Sequence, residues 1–154
     1  ILNEWGSHIL RLAYSYLQSR SDAEGVLQDT LLQFLKAAPA FESEEHKKTW
    51  LLRVAGNISK NRIAYNRVHS TDELEESLAA EHRKDLSFVW ETVKALPVKY
   101  REVIHLFYYE GYPAAQIADI LRISESAVRS RLCRGRAKLE RTLGEAYDFA
   151  EKIG

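Results

Sequence analysis

The chain has 154 residues, with 22 Lys and Arg balanced by 22 Asp and Glu and a single cysteine. That length admits one domain or two small ones; the lone Cys133 excludes an internal disulfide and a cysteine-cluster zinc site and fits a reducing compartment. No apolar run approaches the ~20 residues that span a bilayer, so a soluble, cytoplasmic protein without membrane insertion is expected; the first residue is Ile1 and not Met, so earlier residues are expected to exist.

In chain order, residues 2–17 place Trp5, Ile9, Leu12, Ala13, Tyr16 and Leu17 near one helical face. Ser21 and Asp22 can cap a second helix, 23–38, whose apolar face is Val26, Leu27, Thr30, Leu31, Phe34 and Leu35; Glu24, Gln28 and Asp29 lie on its polar side. Gly25 near its start costs up to ~1 kcal/mol against Ala, so that turn is not built for stability alone. Pro39 ends the helix, and 40–45 is a loop holding Phe41. Periodicity resumes over 49–66 through Trp50, Leu51, Val54, Ala55, Ile58 and Ile63, with Trp50 read as core. Arg53, Asn57, Lys60 and Asn61 share a solvent-facing strip of this helix, and amides and cations without acids are what base edges and phosphates require.

The pattern then lapses. Residues 68–84 are polar and acidic and read as a linker, although Leu74 and Leu78 could support a short helix. Residues 85–95 and 98–110 are two further helical segments parted by Pro97, with Phe88, Val89, Val93, Leu96, Val103, Ile104 and Phe107 available for burial, and Gly111 ends the second. Pro113 opens a short helix through Ala114, Ile117, Ala118 and Leu121. Arg122, Ile123 and Ser124 form a turn, Ser124 caps the next helix, and Glu125 adds an acid to its first turn. That helix offers Val128, Leu132 and Leu139 to a core and Arg129, Ser130, Arg131, Arg134, Arg136 and Lys138 elsewhere. Helix, short turn and basic helix make a DNA-binding helix-turn-helix.

The neutral total conceals alternating blocks. Residues 22–45 hold six acids and one base, 46–67 six bases and no acid, 71–91 seven acids and two bases, and 122–141 seven bases and two acids. Two separate basic blocks imply two contacts with a polyanion. With no strand-like alternation and no internal repeat, the chain reads as all-α: two small helical domains joined by an acidic linker, the second containing the helix-turn-helix.

The order of these features resembles the bacterial RNA polymerase sigma factors of the sigma-70 family that keep only two conserved domains, the extracytoplasmic-function (ECF) type. Residues 22–29, DAEGVLQD, look like the segment that docks on the clamp helices of the polymerase's largest subunit, and 48–57, KTWLLRVAGN, are similar to the helix that opens and reads the −10 element. Leu96-Pro97 with Tyr100, Arg101, Glu102 and Val103 matches the family's L-P-x-x-x-R-x-V, and 127–136, AVRSRLCRGR, matches its −35 reading motif. The resemblance implies region 2 at 1–67, a linker at 68–84 and region 4 at 85–154. It implies polymerase docking by Asp22, Glu24, Gln28 and Asp29, and −10 contacts by Arg53, Asn57, Lys60 and Asn61, with Phe41 in the loop that holds a flipped base. It also implies −35 contacts by Arg129, Ser130, Cys133 and Arg134, with Arg131 and Arg136 serving phosphates or local structure. The implied partners are the core polymerase, through its clamp helices and the flap of its second-largest subunit, promoter DNA and an anti-sigma factor. Two departures stand out: Gly25 replaces a usual acid, and Glu42, Glu44 and Glu45 make the flipped-base loop acidic.

Blander roles compete. A basic helix face is often only solvated, Asn57 alone would be a surface amide, the acids of 22–29 could simply answer the helix dipole, and Cys133 is a contact residue before it is a redox sensor. The five histidines show no metal-ligand spacing, and neither paired carboxylates, a phosphate loop nor a nucleophile motif is present, so neither an enzyme nor a cofactor is expected. The competing reading is a helix-turn-helix regulator that binds duplex DNA as a dimer without joining polymerase.

Overall fold

In the computed structural model, residues 2–37, 40–68 and 93–153 are described, with side chains from 5 to 142 within those limits. Among the described residues the helices are, in order, α1 (Leu2–Leu17), α2 (Arg20–Ala37), α3 (Glu44–Val68), α4 (Val98–Ile104), which runs on into a π-helical turn at His105–Tyr109, α5 (Ala114–Leu121) and α6 (Glu125–Ile153), with residues 93–94 helical as well. There is no strand among the described residues. Of the expected linker 68–84 and the expected helix 85–95, residues 69–92, with Leu74, Leu78, Phe88 and Val89, lie outside them.

The first half is a three-helix unit built on Ile9, Leu12, Ala13 and Tyr16 of α1, Ala23 and Val26 of α2, and Leu51, Leu52 and Ala55 of α3. Each fully buried Leu or Ile contributes about 1.5–3 kcal/mol. The stripe on α1 is the one its periodicity predicts, and Trp50 is partly buried against the same core. Helix starts differ from the sequence reading. Ser19, not Ser21, caps α2, its Oγ accepting from the Asp22 N–H at 3.3 Å; α3 begins five residues before Thr49 because Ser43 Oγ accepts from the His46 N–H at 3.1 Å. Leu35 leaves the core and is 72 % exposed. Nine residues beyond Val26, it sits about half a circle round the helix at ~100° per residue.

The second half packs α4, α5 and α6 around Val103, Ile104, Leu106, Ile117, Ile120, Val128 and Leu132. Gly135 lets α6 approach α4 closely: a Cβ there would lie 2.7 Å from Ile104 Cδ1 and 3.3 Å from Tyr100 Cβ. Gly111 closes the segment with φ +77°, a conformation that favours glycine. The π-helical turn leaves Phe107, expected in the core, exposed beside Tyr108 and Tyr109.

The two halves touch. α1 packs on α4, and α3 on α5. Arg101, buried on α4, donates from Nη2 to the Tyr16 carbonyl at 3.0 Å and from Nη1 to the Lys94 carbonyl at 2.9 Å.

Candidate nucleic-acid and docking surfaces

The helix-turn-helix forms as its residues dictate. α5 ends at Arg122, which takes the left-handed conformation at φ 56°, a state that costs a non-glycine residue ~1 kcal/mol or more. Ser124 Oγ accepts from the Ala127 N–H at 3.0 Å and starts α6. Burial of Val128, Leu132 and Gly135 fixes the rotation of α6, so Arg129, Ser130, Cys133, Arg134 and Arg136 form one exposed face. Arg129 is paired along the helix with Glu125, a solvated interaction that a nucleic acid could displace at little cost. Arg131 points elsewhere, its guanidinium 3.7 Å from Glu102.

Glu102 is the hub between the halves. Only 2 % of its side chain is exposed, and it receives Lys60 Nζ from α3 at 2.9 Å, the Tyr16 hydroxyl from α1 and Arg131 from α6. Burial, the charge of Glu102 and the hydrogen bond to it push the Tyr16 hydroxyl well above its usual pKa, so it remains a donor to the carboxylate. The strip on α3 is therefore divided. Asn57 and Asn61 face solvent as expected, whereas Lys60 is turned to Glu102 and Arg53 donates to the Asp119 carbonyl of α5 at 2.5 Å. Burial, reinforced by the charge of Arg122, lowers the Arg53 pKa. Arg53 and Lys60 lie on the side of α3 that the second half covers, a fact a single helix's periodicity does not contain. A cleft of about 530 Å³ remains beside Arg53, between the start of α3 (Ser43, His46, Thr49) and α5 (Gln116).

A second buried carboxylate reinforces the contact. Glu110, 3 % exposed in its side chain, accepts from Arg11 Nε at 2.9 Å and Nη2 at 3.0 Å, lies 3.0 Å from His8 Nδ1, and has His105 Nε2 at 3.3 Å. Burial works against its ionised form, but His105, Arg11 and His8 more than offset this and hold its pKa far below the usual carboxylate range. Nearby, Lys48 lies over the Tyr112 ring at 4.2 Å, and burial together with the charge of Glu110 pushes the Tyr112 phenol up to about 12.

Phe41 stacks on Phe34 with ring centroids 6.0 Å apart and meets Trp50 edge-on at 5.9 Å and His46 at 5.5 Å, which seats the loop 40–43 against the end of α2. On α2, Glu24 and Gln28 are exposed together with Leu32 and Leu35. Asp22 and Asp29 are half-buried and turned toward α3, where Arg62 Nη2 lies 3.4 Å from Asp29 and Asn66 Nδ2 3.3 Å from Asp22. Of the exposed leucines and the aromatic trio Phe107, Tyr108 and Tyr109, apolar periodicity had assigned Leu35 and Phe107 to cores and left the others without a role. Their only sequence signal was excess: each helix holds more apolar residues than one stripe needs.

The family profile described as Sigma-70 region 2 matches residues 1–69, and that described as Sigma-70, region 4, matches residues 89–139. The ECF RNA polymerase sigma factor SigM of Mycobacterium tuberculosis is 30 % identical over 138 residues, covering 87 % of this chain and 70 % of SigM. The chain belongs to the ECF sigma factors. Such a factor confers promoter specificity on bacterial RNA polymerase and initiates transcription. SigZ of Bacillus subtilis is 28 % identical over 153 residues, 91 % of this chain and 86 % of SigZ. The structure of CnrH in complex with the cytosolic domain of CnrY is similar with a TM-score of 0.72 at 26 % identity, over 94 % of this chain and 85 % of that one. A likeness in fold extends to RpoE of Bartonella quintana, solved in complex with the anti-sigma factor NepR, with a TM-score of 0.67 at 21 % identity over 93 % and 94 %. Among the described residues, no helix of this ECF factor is long and apolar enough to cross a membrane, and no cluster of three His, Cys, Asp or Glu could hold a metal.

Proposed function

We propose that this ECF factor works in the cytoplasm by binding alone, without bond chemistry, and that the arrangement described above is its closed, promoter-blind form. Residues 1–67 dock on core polymerase through Asp22, Glu24, Gln28 and Asp29, and open the −10 region with Arg53, Asn57, Lys60 and Asn61, while the loop of Phe41 receives a flipped base. Residues 85–154 read the −35 duplex through Arg129, Ser130, Cys133 and Arg134, with Arg136 on phosphates. The observation that carries this reading is the meeting of Lys60, from the −10 strip, and Arg131, from the −35 helix, on the single buried carboxylate of Glu102.

Both cations are provided with an internal anion, and because Lys60 takes its anion from the other half, promoter phosphates must compete with Glu102 for it before the two halves can occupy their separate elements. Core polymerase, by holding both halves on one promoter at high effective concentration, supplies that advantage, and trapping of extruded bases offsets a few kcal/mol each for unstacking. The relatives solved with CnrY and with NepR support a regulator of the same kind for this chain, one that binds and holds the closed form. The duplex-binding dimer is not favoured, because it gives α3 and the acids of α2 no task. Run-off transcription with core polymerase on promoters of the same genome tests the proposal: promoter-specific transcripts are expected only when the protein is added, and transcripts indifferent to it would end the reading.

A further inference from the structure

Gly25 and Arg62 form a fitted pair. A Cβ on Gly25 would lie 2.6 Å from Arg62 Nη1 and 3.4 Å from Cζ, so the guanidinium rests on the bare backbone of α2. There it stands between two acids of the docking helix, with Nη2 3.4 Å from Asp29 Oδ2 and Nη1 4.0 Å from Asp22 Oδ1. Asn66, one turn further along α3, donates to the other oxygen of Asp22 at 3.3 Å. All three ionic side chains keep between a third and a half of their surface exposed, so a partner can reach them. A glycine inside a helix costs ~1 kcal/mol against Ala, and nothing else in the packing of α2 asks for one at this position.

We propose that Arg62 is a built-in counter-ion that sets the affinity of this factor for polymerase. Seated on Gly25, it neutralises Asp22 and Asp29 in the free protein, so a basic docking surface on the polymerase must displace it to gain either acid. The proposal rests on the reading of α2 as the docking helix. The chemistry is competition between one internal and several external cations for the same carboxylates, in solvent-accessible pairs that are individually weak. Removal of Arg62 should therefore strengthen docking, the opposite of what loss of a structural ion pair would do. Arg62 lies on the side of α3 turned away from Arg53 and Asn57, at ~180° from Arg53 on a helical projection, so its removal leaves the nucleic-acid strip intact.

The test is titration of the full chain with core RNA polymerase, followed by fluorescence anisotropy over a range of salt. Arg62→Gln should bind about threefold to tenfold more tightly at low salt, with a steeper salt dependence and convergence on the native value at high salt. Gly25→Ala, which keeps the charge but denies it its seat, should move binding the same way by less. Equal or weaker binding by Arg62→Gln overturns the proposal. Asp22→Asn with Asp29→Asn, made in both backgrounds, separates the two readings: loss of affinity, larger when Arg62 is absent, supports both. No effect in either background removes the docking role of α2 itself, and with it the proposal. Weakening by the double substitution with no gain from Arg62→Gln removes only the counter-ion role.

Discussion

The Glu102 hub can be tested by Glu102→Gln, which keeps the shape of the side chain and removes its charge. The amide oxygen can still accept from the buried Tyr16 hydroxyl, but the ion pairs to Lys60 at 2.9 Å and Arg131 at 3.7 Å are lost. In a buried setting each would be worth several kcal/mol by Coulomb's law at an effective dielectric of ~20. Lys60 is 39 % and Arg131 30 % exposed, however, so solvent screening reduces each to ~1 kcal/mol. Downgrading the charge-assisted bond from Tyr16 to a neutral one removes another ~1 kcal/mol. Arg131 belongs to the same half as Glu102, so only the Lys60 pair and the Tyr16 bond cross between the halves, and their combined loss of about 2 kcal/mol moves the equilibrium between closed and open halves by about 30-fold. Energy transfer between dyes on α1 and α6 should fall, and the affinity of the isolated protein for a single-stranded −10 oligonucleotide should rise as Lys60 is released. Tyr16→Phe, which keeps the ring that Lys60 overlies at 5.9 Å and removes only the hydroxyl, should act in the same direction through one hydrogen bond, by about tenfold or less. If both variants stay folded and leave energy transfer and oligonucleotide affinity at native values, the closed form is not held by this carboxylate and the reasoning fails.

Three further outcomes are expected. Glu110 has a depressed pKa in the folded state, so its stabilisation is complete above the unfolded carboxylate pKa of ~4.3 and is lost as pH falls toward the folded value. Glu110→Gln should therefore lower stability in denaturant melts at pH 7, by an amount that shrinks steadily below pH 4.5; a pH-independent difference would contradict the assignment. Gly135→Leu should overpack the contact of α6 with Ile104 and Tyr100 and cost about 1–3 kcal/mol, read as a Tm lowered by several degrees, while Gly6→Ala, where a Cβ meets nothing, should not destabilise. Alanine at Arg129 or Arg134 should cost about 1–3 kcal/mol of −35 discrimination in a promoter-binding assay if either makes a bidentate base contact; full discrimination by both variants would remove them from the groove.

Local rules made much of this structure legible. The stripe on α1, the turn at 122–124 with its Ser124 cap, the glycine stop at Gly111 and the basic exposed face of α6 all depend on residues within a few positions of one another, which is the range over which helical periodicity and capping act. What escaped was set by distant partners. Arg53 meets a carbonyl 66 residues away, Tyr16 a carboxylate 86 away and His8 one 102 away; no spacing in the chain encodes those meetings. The cost of Gly25 signalled a turn not built for stability alone, but its partner, Arg62, comes from another helix that no local spacing names.

The misplacement of Arg53 and Lys60 follows from the same cause. A strip of cations and amides with no acid among them specifies an anionic partner, and the sequence states that chemistry plainly. It does not say whether the anion is a phosphate or a carboxylate of the same chain. In the closed form Lys60 is given to Glu102 while Asn57 and Asn61, which carry no charge for an internal acid to capture, stay in solvent. On the proposed function, the cations of a surface both masked and used would be the residues that change partner, and its amides those free to read bases at once. Replacing Asn57 should accordingly weaken −10 recognition equally in the native and Glu102→Gln backgrounds, whereas replacing Lys60 should cost more in the Glu102→Gln background, where it is already released. A double-mutant cycle on oligonucleotide affinity measures that difference, and strict additivity of Lys60 with Glu102 would show that the carboxylate does not mask it.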